Sequence, residues 1–115
     1  MRLTVTIWLL PLFISALSVA RADERPVFNL ELTEKGFVPE TINVPANTRI
    51  KIKMLNSTSR VAELESFDMK FEKIATPGNS ITVLTGPLHP GAYIFFDDYS
   101  INNLRGKVVA GDISK

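Results

Sequence analysis

The sequence predicts an all-β fold, a sandwich or small barrel of about seven strands. Three observations favour it. Short apolar runs recur at regular spacing, Pro, Gly and Asn separate them, and the chain beyond residue 22 shows no helical periodicity. Many short strands with turn signals between them are typical of β-sandwiches and small barrels.

The predicted strands follow from these runs in order. They cover residues 27–32, 41–44, 48–55, 61–67, 80–84, 92–96 and 107–113. Residues 48–55 give the clearest signal, because Ile50, Ile52 and Met54 alternate with charged residues, as in a strand with one buried face. Residues 61–67 are acidic and give a weaker signal. Residues 68–75 are expected to be irregular or to carry one helical turn.

Residues 1–22 have the form of a secretory signal peptide. Arg2 precedes an apolar stretch over residues 5–20, and Ala20-Arg21-Ala22 supplies a small-residue cleavage pattern. We predict cleavage after Ala22, export, and a single domain over residues 23–115. The alternative is an uncleaved membrane anchor, although the apolar stretch is short against the roughly 20 residues of a membrane span.

The composition excludes several classes of function. The chain has no cysteine, so disulfides and thiolate metal sites are excluded. Its formal net charge of +1 gives no indication of a nucleic-acid partner. Because the intense blue colour of many copper proteins comes from a thiolate ligand, copper-loaded protein is predicted to lack it. A strong blue band from a pure sample would contradict this.

The segment over residues 91–111, GAYIFFDDYSINNLRGKVVAG, resembles the ligand loop of cupredoxins. In that pattern an aromatic strand delivers a Cys, a His follows three residues later, and a Met comes shortly before a Gly. Asp97, Ser100 and Leu104 hold the corresponding places here. Thiolate and imidazole make a soft, redox-tuned copper site, so these substitutions argue against electron transfer by type 1 copper.

Two further segments are similar to cupredoxin-like domains. GFVPETINVPANTRIKIKMLN resembles their opening, which ends in an Asn, here Asn56. ELESFDMKFEKIATPGNSITVLTGPLHPGAY resembles the EfeO-type subgroup associated with bacterial iron uptake. The resemblance implies a cupredoxin-like Greek-key β-sandwich and a periplasmic location. It also implies a bound copper or iron ion, and an inner-membrane iron permease or periplasmic iron-uptake subunit as partner.

The same resemblance suggests a metal site. In cupredoxins the first ligand lies just beyond the Asn-ended strand and the others follow the aromatic strand, which would bring Glu63 and Glu65 opposite Asp97 and Asp98. Met69 has the same strand parity as the two glutamates and would add a thioether ligand. Carboxylate oxygens suit hard or borderline ions such as Fe(III), Fe(II), Mn(II) or Cu(II).

Other interpretations remain open. Asp97 and Asp98 can form a solvated loop tip or pair with Arg105, and the protein would then be a metal-free degenerate cupredoxin that docks a permease or a periplasmic subunit. Ferroxidase activity is a further alternative. His89, the only histidine, lies in the turn before the aromatic strand and is expected at the opposite end of the sandwich from the candidate site.

Overall fold

The structure, a computed structural model, describes residues 2–8, 11 and 24–112. Its regular secondary structure within that part is entirely β. The nine strands are β1 (Val27–Thr33), β2 (Gly36–Val38), β3 (Thr41–Pro45), β4 (Ile50–Asn56), β5 (Ala62–Ser66), β6 (Phe71–Ala75), β7 (Ser80–Thr85), β8 (Gly91–Asp97) and β9 (Arg105–Gly111). The predicted sandwich is confirmed, with two more strands than the sequence indicated.

The strands form two sheets. A four-stranded sheet has the order β2-β1-β4-β7, and a five-stranded sheet has the order β3-β9-β8-β5-β6. The β1–β4 and β3–β9 pairs are parallel, and the other pairs are antiparallel. Of the acidic residues in the predicted site, Glu63, Glu65 and Asp97 lie in the five-stranded sheet, and Asp98 directly follows β8.

The expectation of an irregular or helical segment over residues 68–75 is correct for residues 68–70, which form a turn, and wrong for residues 71–75, which form a strand. A turn at residues 67–70, with Lys70 at a φ of 58°, reverses the chain into β6. β6 then pairs with β5 from Ala62↔Ala75 to Ser66↔Phe71. The sequence of β6 concealed it because only Ala75 of its five residues is buried, so the strand has little apolar alternation.

The core lies between the two sheets. β4 confirms the predicted alternation, since Ile50, Ile52 and Met54 are buried and Lys53 is exposed. Phe95 of β8 is buried against Phe37 of β2, with the rings edge to face and their centroids 5.0 Å apart. Burial of large apolar side chains of this kind stabilises the fold without disulfides.

The two ends of the sandwich differ in the loops they carry. At one end the backbone N–H of Glu63, near the start of β5, donates to the Asp97 carboxylate at the end of β8. At the other end the N–H of Asn47 donates to the carbonyl of Leu88, beside His89. His89 therefore lies where it was predicted, away from the candidate site.

The predicted signal peptide falls largely outside the described residues. Of residues 1–22 the structure describes 2–8 and 11, which have no regular secondary structure. In the part of the chain that the structure describes, no helix has the length and apolar character needed to cross a membrane.

Candidate functional site

Asp97, which the resemblance places at the cupredoxin cysteine position, ends β8 with its side chain facing the interior. Strand alternation directs Phe95 and Asp97 inward and Phe96 outward. The Asp97 Oδ2 atom lies 2.7 Å from Nη1 of Arg60, and Oδ1 accepts the backbone N–H groups of Glu63 at 3.0 Å and Tyr99 at 3.1 Å. An arginine and two amides thus compensate this buried carboxylate.

The loop that presents Arg60 is built on Asn56. The Asn56 side chain is fully buried, and its Nδ2 donates to the carbonyls of Arg60 and Ala75, both at 2.9 Å. Its Oδ1 accepts from the N–H and the hydroxyl of Thr58. Asn56 therefore has a structural role at the end of β4, because its side chain satisfies the buried polar groups of the loop that follows.

Ser100 and Leu104, which the resemblance places at the cupredoxin His and Met positions, also stabilise the loop. The Ser100 hydroxyl donates to the Asp97 carbonyl at 2.9 Å and accepts the Leu104 N–H at 3.0 Å. The Leu104 side chain packs against the core. Asp97, Ser100 and Leu104 thus all help to close the loop between β8 and β9.

Two expectations about Asp97 need correction. It was expected to join an oxygen-rich site or to pair with Arg105, but it pairs with Arg60 and faces away from the other carboxylates. The reason is parity: Asp97 lies opposite Leu64 in the β5–β8 register, and both side chains face the core. The guanidinium of Arg60 supplies the positive charge beside Asp97.

The other acidic residues meet on the outer face of the five-stranded sheet. Glu65 lies opposite Glu72 of β6 on one side and Phe96 of β8 on the other. Glu63, two residues before Glu65 on β5, shares that face. Carboxylate oxygens of Glu63, Glu65 and Glu72 all lie within 4.8 Å of one another. We call these three residues the carboxylate cluster.

Asp98 and Tyr99 border this cluster. The Asp98 N–H donates to the Glu63 carbonyl at 3.0 Å, which continues the β5–β8 pairing beyond Asp97. The pKa of Tyr99 is raised, first by the hydrogen bond with the Glu63 carboxylate, then by desolvation and by the charges of Glu63, Asp98 and Glu72. The phenol therefore keeps its proton beside the acids.

Glu65 lies among other acidic side chains. Desolvation raises its pKa above the ordinary value of 4.5, and so do the charge of Asp98, the hydrogen bond and charge of Glu63, and the charge of Glu72. Every one of these effects disfavours the ionised form. A cation placed among the three carboxylates would relieve the repulsion.

Met69 does not belong to the cluster, contrary to expectation. Its side chain is buried in the core, and its N–H donates to the Ser66 hydroxyl. Met69 does not share the face of Glu63 and Glu65 because β5 ends at Ser66 and the chain then turns. Ser66 and Asp68 replace the missing ladder bonds, since the Ser66 hydroxyl donates to the Ile94 carbonyl and Asp68 accepts the Ile94 N–H.

The structure thus brings Glu63 and Glu65 together, leaves Asp98 beside them, and separates Asp97 and Met69 from them. Sequence reasoning missed Glu72 and Arg60. Glu72 required the recognition of β6 and its register with β5. Arg60 lay in a segment where no periodicity applies, although its proximity to the Asn-ended strand was a usable signal.

We expect Glu65→Gln to stabilise metal-free protein at pH 7. A carboxyl whose pKa is raised on folding costs stability once it ionises, so the gain should be present above the folded-state pKa and fade as pH falls toward 4.5. Urea unfolding of both proteins at several pH values measures it. Equal stabilisation at pH 4 and pH 7 would show that the gain is not electrostatic.

Comparison with known proteins decides the family. A model of the cupredoxin-like domain matches residues 3–110. The chain belongs to the cupredoxin-like domain family. It is also 32% identical over 83 residues to an uncharacterized protein of Rickettsia prowazekii (strain Madrid E), covering 72% of this chain. The chain spans 66% of the length of that relative.

Solved structures support the cupredoxin-like fold. Reduced auracyanin from Roseiflexus castenholzii matches with a TM-score of 0.62 at 14% identity, covering 74% of this chain and 96% of that one. The metal-binding domain of the Cu(I)-exporting P-type ATPase CopA of Streptococcus pneumoniae, solved with Cu(I), matches with a TM-score of 0.66 at 14% identity, covering 75% and 85%. The fold is therefore related to that of copper-binding proteins, and the predicted cupredoxin-like sandwich is confirmed.

Proposed function

We propose that this cupredoxin-like protein is exported to the periplasm, binds a copper or iron ion at the carboxylate cluster, and supports iron uptake through an inner-membrane permease or a periplasmic iron-uptake subunit. One observation carries the metal-binding part. Glu63, Glu65 and Glu72 hold three oxygen ligands within 4.8 Å of one another on adjacent paired strands. Ligands on paired strands are held more rigidly than ligands on loops.

The chemistry of the cluster favours particular ions. Carboxylate oxygens are hard ligands, so Fe(II), Fe(III) and Cu(II) suit the cluster better than Cu(I), which prefers sulfur. Asp98 adds negative charge nearby, as its effect on the Glu65 pKa indicates. Binding through carboxylates would also be pH-dependent, because protons compete with the metal for the ligands.

The role in iron uptake rests on sequence similarity to the EfeO-type subgroup. The segment that carries this similarity, ELESFD, includes Glu63 and Glu65 of the cluster. Its Ser66 and Asp68 hold the end of β5 against Ile94, so the same segment positions the two glutamates. Ferroxidase turnover is a weaker alternative, because the domain lacks the Cys-His-Met set that tunes a copper potential.

Uptake of radioactive iron by bacteria lacking the protein tests this proposal. We expect uptake to fall in the deletion strain and to recover with the wild-type chain but not with a Glu63→Gln, Glu65→Gln, Glu72→Gln triple variant. Glu40→Gln, which alters an exposed carboxylate outside the cluster, should restore uptake and serves as the control. Unchanged uptake after deletion would contradict the iron role, and full rescue by the triple variant would contradict the site.

A specific observation favours a second function, that of a metal-free adaptor. The partly exposed guanidinium of Arg60 lies 2.7 Å from the buried Asp97 carboxylate, so that end of the sandwich is stabilised without metal. Under this alternative, copper or iron would leave the melting temperature unchanged, whereas a ligand that binds the native state raises it.

A further inference from the structure

A groove crosses the outer face of the five-stranded sheet beside the carboxylate cluster. It encloses about 390 Å³, and Phe67, Ile94, Phe96, Ser100, Asn103 and Arg105 are among the residues that line it. Phe96 forms part of the floor and contacts Phe67, with ring centroids 5.1 Å apart. The Phe67 side chain is 75% exposed. An aromatic ring exposed to this extent beside a concave surface is typical of an interaction site.

The loop between β8 and β9 extends this apolar surface. Ser100 and Asn103 of the loop line the groove, and Ile101 between them is 98% exposed. Hydrogen bonds of Ser100 with Asp97 and Leu104 fix the loop to the end of β8. The groove wall is therefore held in place, and the apolar side chains at its rim are presented to solvent.

Charge decides which partner fits. Asp68 and Asp98 line the groove itself, and Glu65 lies next to Phe96 in the strand register. Glu63 and Glu72 enlarge the same negative region. Arg105 and Lys107 of β9 lie on the other side of Phe96 and Ile94, and Lys70 lies beside Glu65 and Glu72. The five acids outnumber these three bases across the face. A second copy of this face, or an anionic membrane surface, would be repelled by that surplus.

We propose that this face docks a partner protein through a segment that carries a large apolar side chain flanked by Lys or Arg. The apolar side chain fills the groove between Phe67 and the β8–β9 loop, and the basic residues face Asp68, Asp98 and Glu65. The proposal rests on the proposed role in a protein assembly, but it does not require that the carboxylate cluster bind metal. If the cluster does bind an ion, the docked segment lies directly beside it.

Isotope-labelled protein and three synthetic peptides test the proposal by NMR. One peptide has a central Phe flanked by lysines, the second replaces the lysines with glutamates, and the third replaces the Phe with Ala. We expect the first alone to shift the amide signals of Ile94, Phe96, Ser100 and Asn103, with an affinity that falls as salt is added. Phe67→Ser should weaken that binding about tenfold. Val38→Ser, on an exposed apolar residue of the other sheet, should not.

Several results would overturn the proposal. These are equal binding of the lysine and glutamate peptides, shifts confined to the four-stranded sheet, or binding unaffected by Phe67→Ser in a variant that keeps the native spectrum. Sedimentation of the protein with vesicles of anionic phospholipid would assign the face to a membrane surface instead. Metal titration of the same sample reports on the carboxylate cluster separately, so failure of the docking proposal and failure of the metal site are distinguishable.

Discussion

Arg60→Ala is expected to destabilise the domain by about 3 kcal/mol, the lower end of the cost of breaking a buried ion pair. The substitution leaves the Asp97 carboxylate, whose side chain is 1% exposed, without its counter-charge. The expected cost lies at the lower end because the Arg60 side chain is 34% exposed and water already screens part of the pair. Urea unfolding followed by circular dichroism measures the loss.

Two variants make this expectation specific. Arg49→Ala removes an exposed arginine at the other end of β4 and should change stability by no more than about 0.5 kcal/mol. Arg60→Ala combined with Asp97→Asn should be more stable than Arg60→Ala alone, because the buried charge is gone. A loss below about 1 kcal/mol for Arg60→Ala, or no recovery in the double variant, would mean that the pair is not what holds this end together.

Gly106→Ala is expected to destabilise the domain by about 3 kcal/mol through overpacking. A Cβ at Gly106 would overlap the ring of Phe95 and lie 2.9 Å from the Glu40 carbonyl oxygen. Phe95 is fully buried and packs edge to face on Phe37, so its ring cannot move without disturbing the core. Thermal unfolding of the variant, compared with wild type, measures the effect.

Gly111→Ala is the matched control, since it lies on the same strand and a Cβ there would meet nothing within 4 Å. It should leave the melting temperature close to that of the wild type. A melting temperature of Gly106→Ala equal to that of Gly111→Ala would contradict the close packing of β9 against the Phe95 ring.

The sequence predicted the sandwich because its buried strands alternate. β4 places Ile50, Ile52 and Met54 in the core as the pattern required. β6 escaped detection because its stability comes from pairing with β5 and not from burying its own side chains. Its one buried residue, Ala75, gives no periodic signal.

The candidate site could be predicted only in part. Glu63 and Glu65 share a face because strand parity holds along β5, and Asp98 comes beside them through its pairing with Glu63. Parity could not predict where the strand ends, so Met69 was misplaced. Similarity to cupredoxins singled out Asp97 as a candidate ligand but could not show that a nearby arginine would pair with it, since that contact depends on the conformation of an irregular loop.

The end of the sandwich and its outer face differ in how their acidic residues are held. At the end, Arg60 forms an ion pair with Asp97, the Ser100 hydroxyl donates to the Asp97 carbonyl, and Leu104 packs against the core. The carboxylates of Glu63, Glu65 and Glu72 on the outer face take no part in those contacts. The proposed metal site therefore lies on the side of the sandwich and not at its end.

Equilibrium dialysis of metal-free protein against Fe(II) under nitrogen, and separately against Cu(II), tests whether the carboxylate cluster binds metal. Metal bound per chain is quantified by mass spectrometry. We expect at least one of the two ions to bind with one ion per chain, Glu65→Gln to abolish this binding, and Glu40→Gln to leave it intact. Absence of stoichiometric binding by both ions, or full binding by Glu65→Gln, would contradict it.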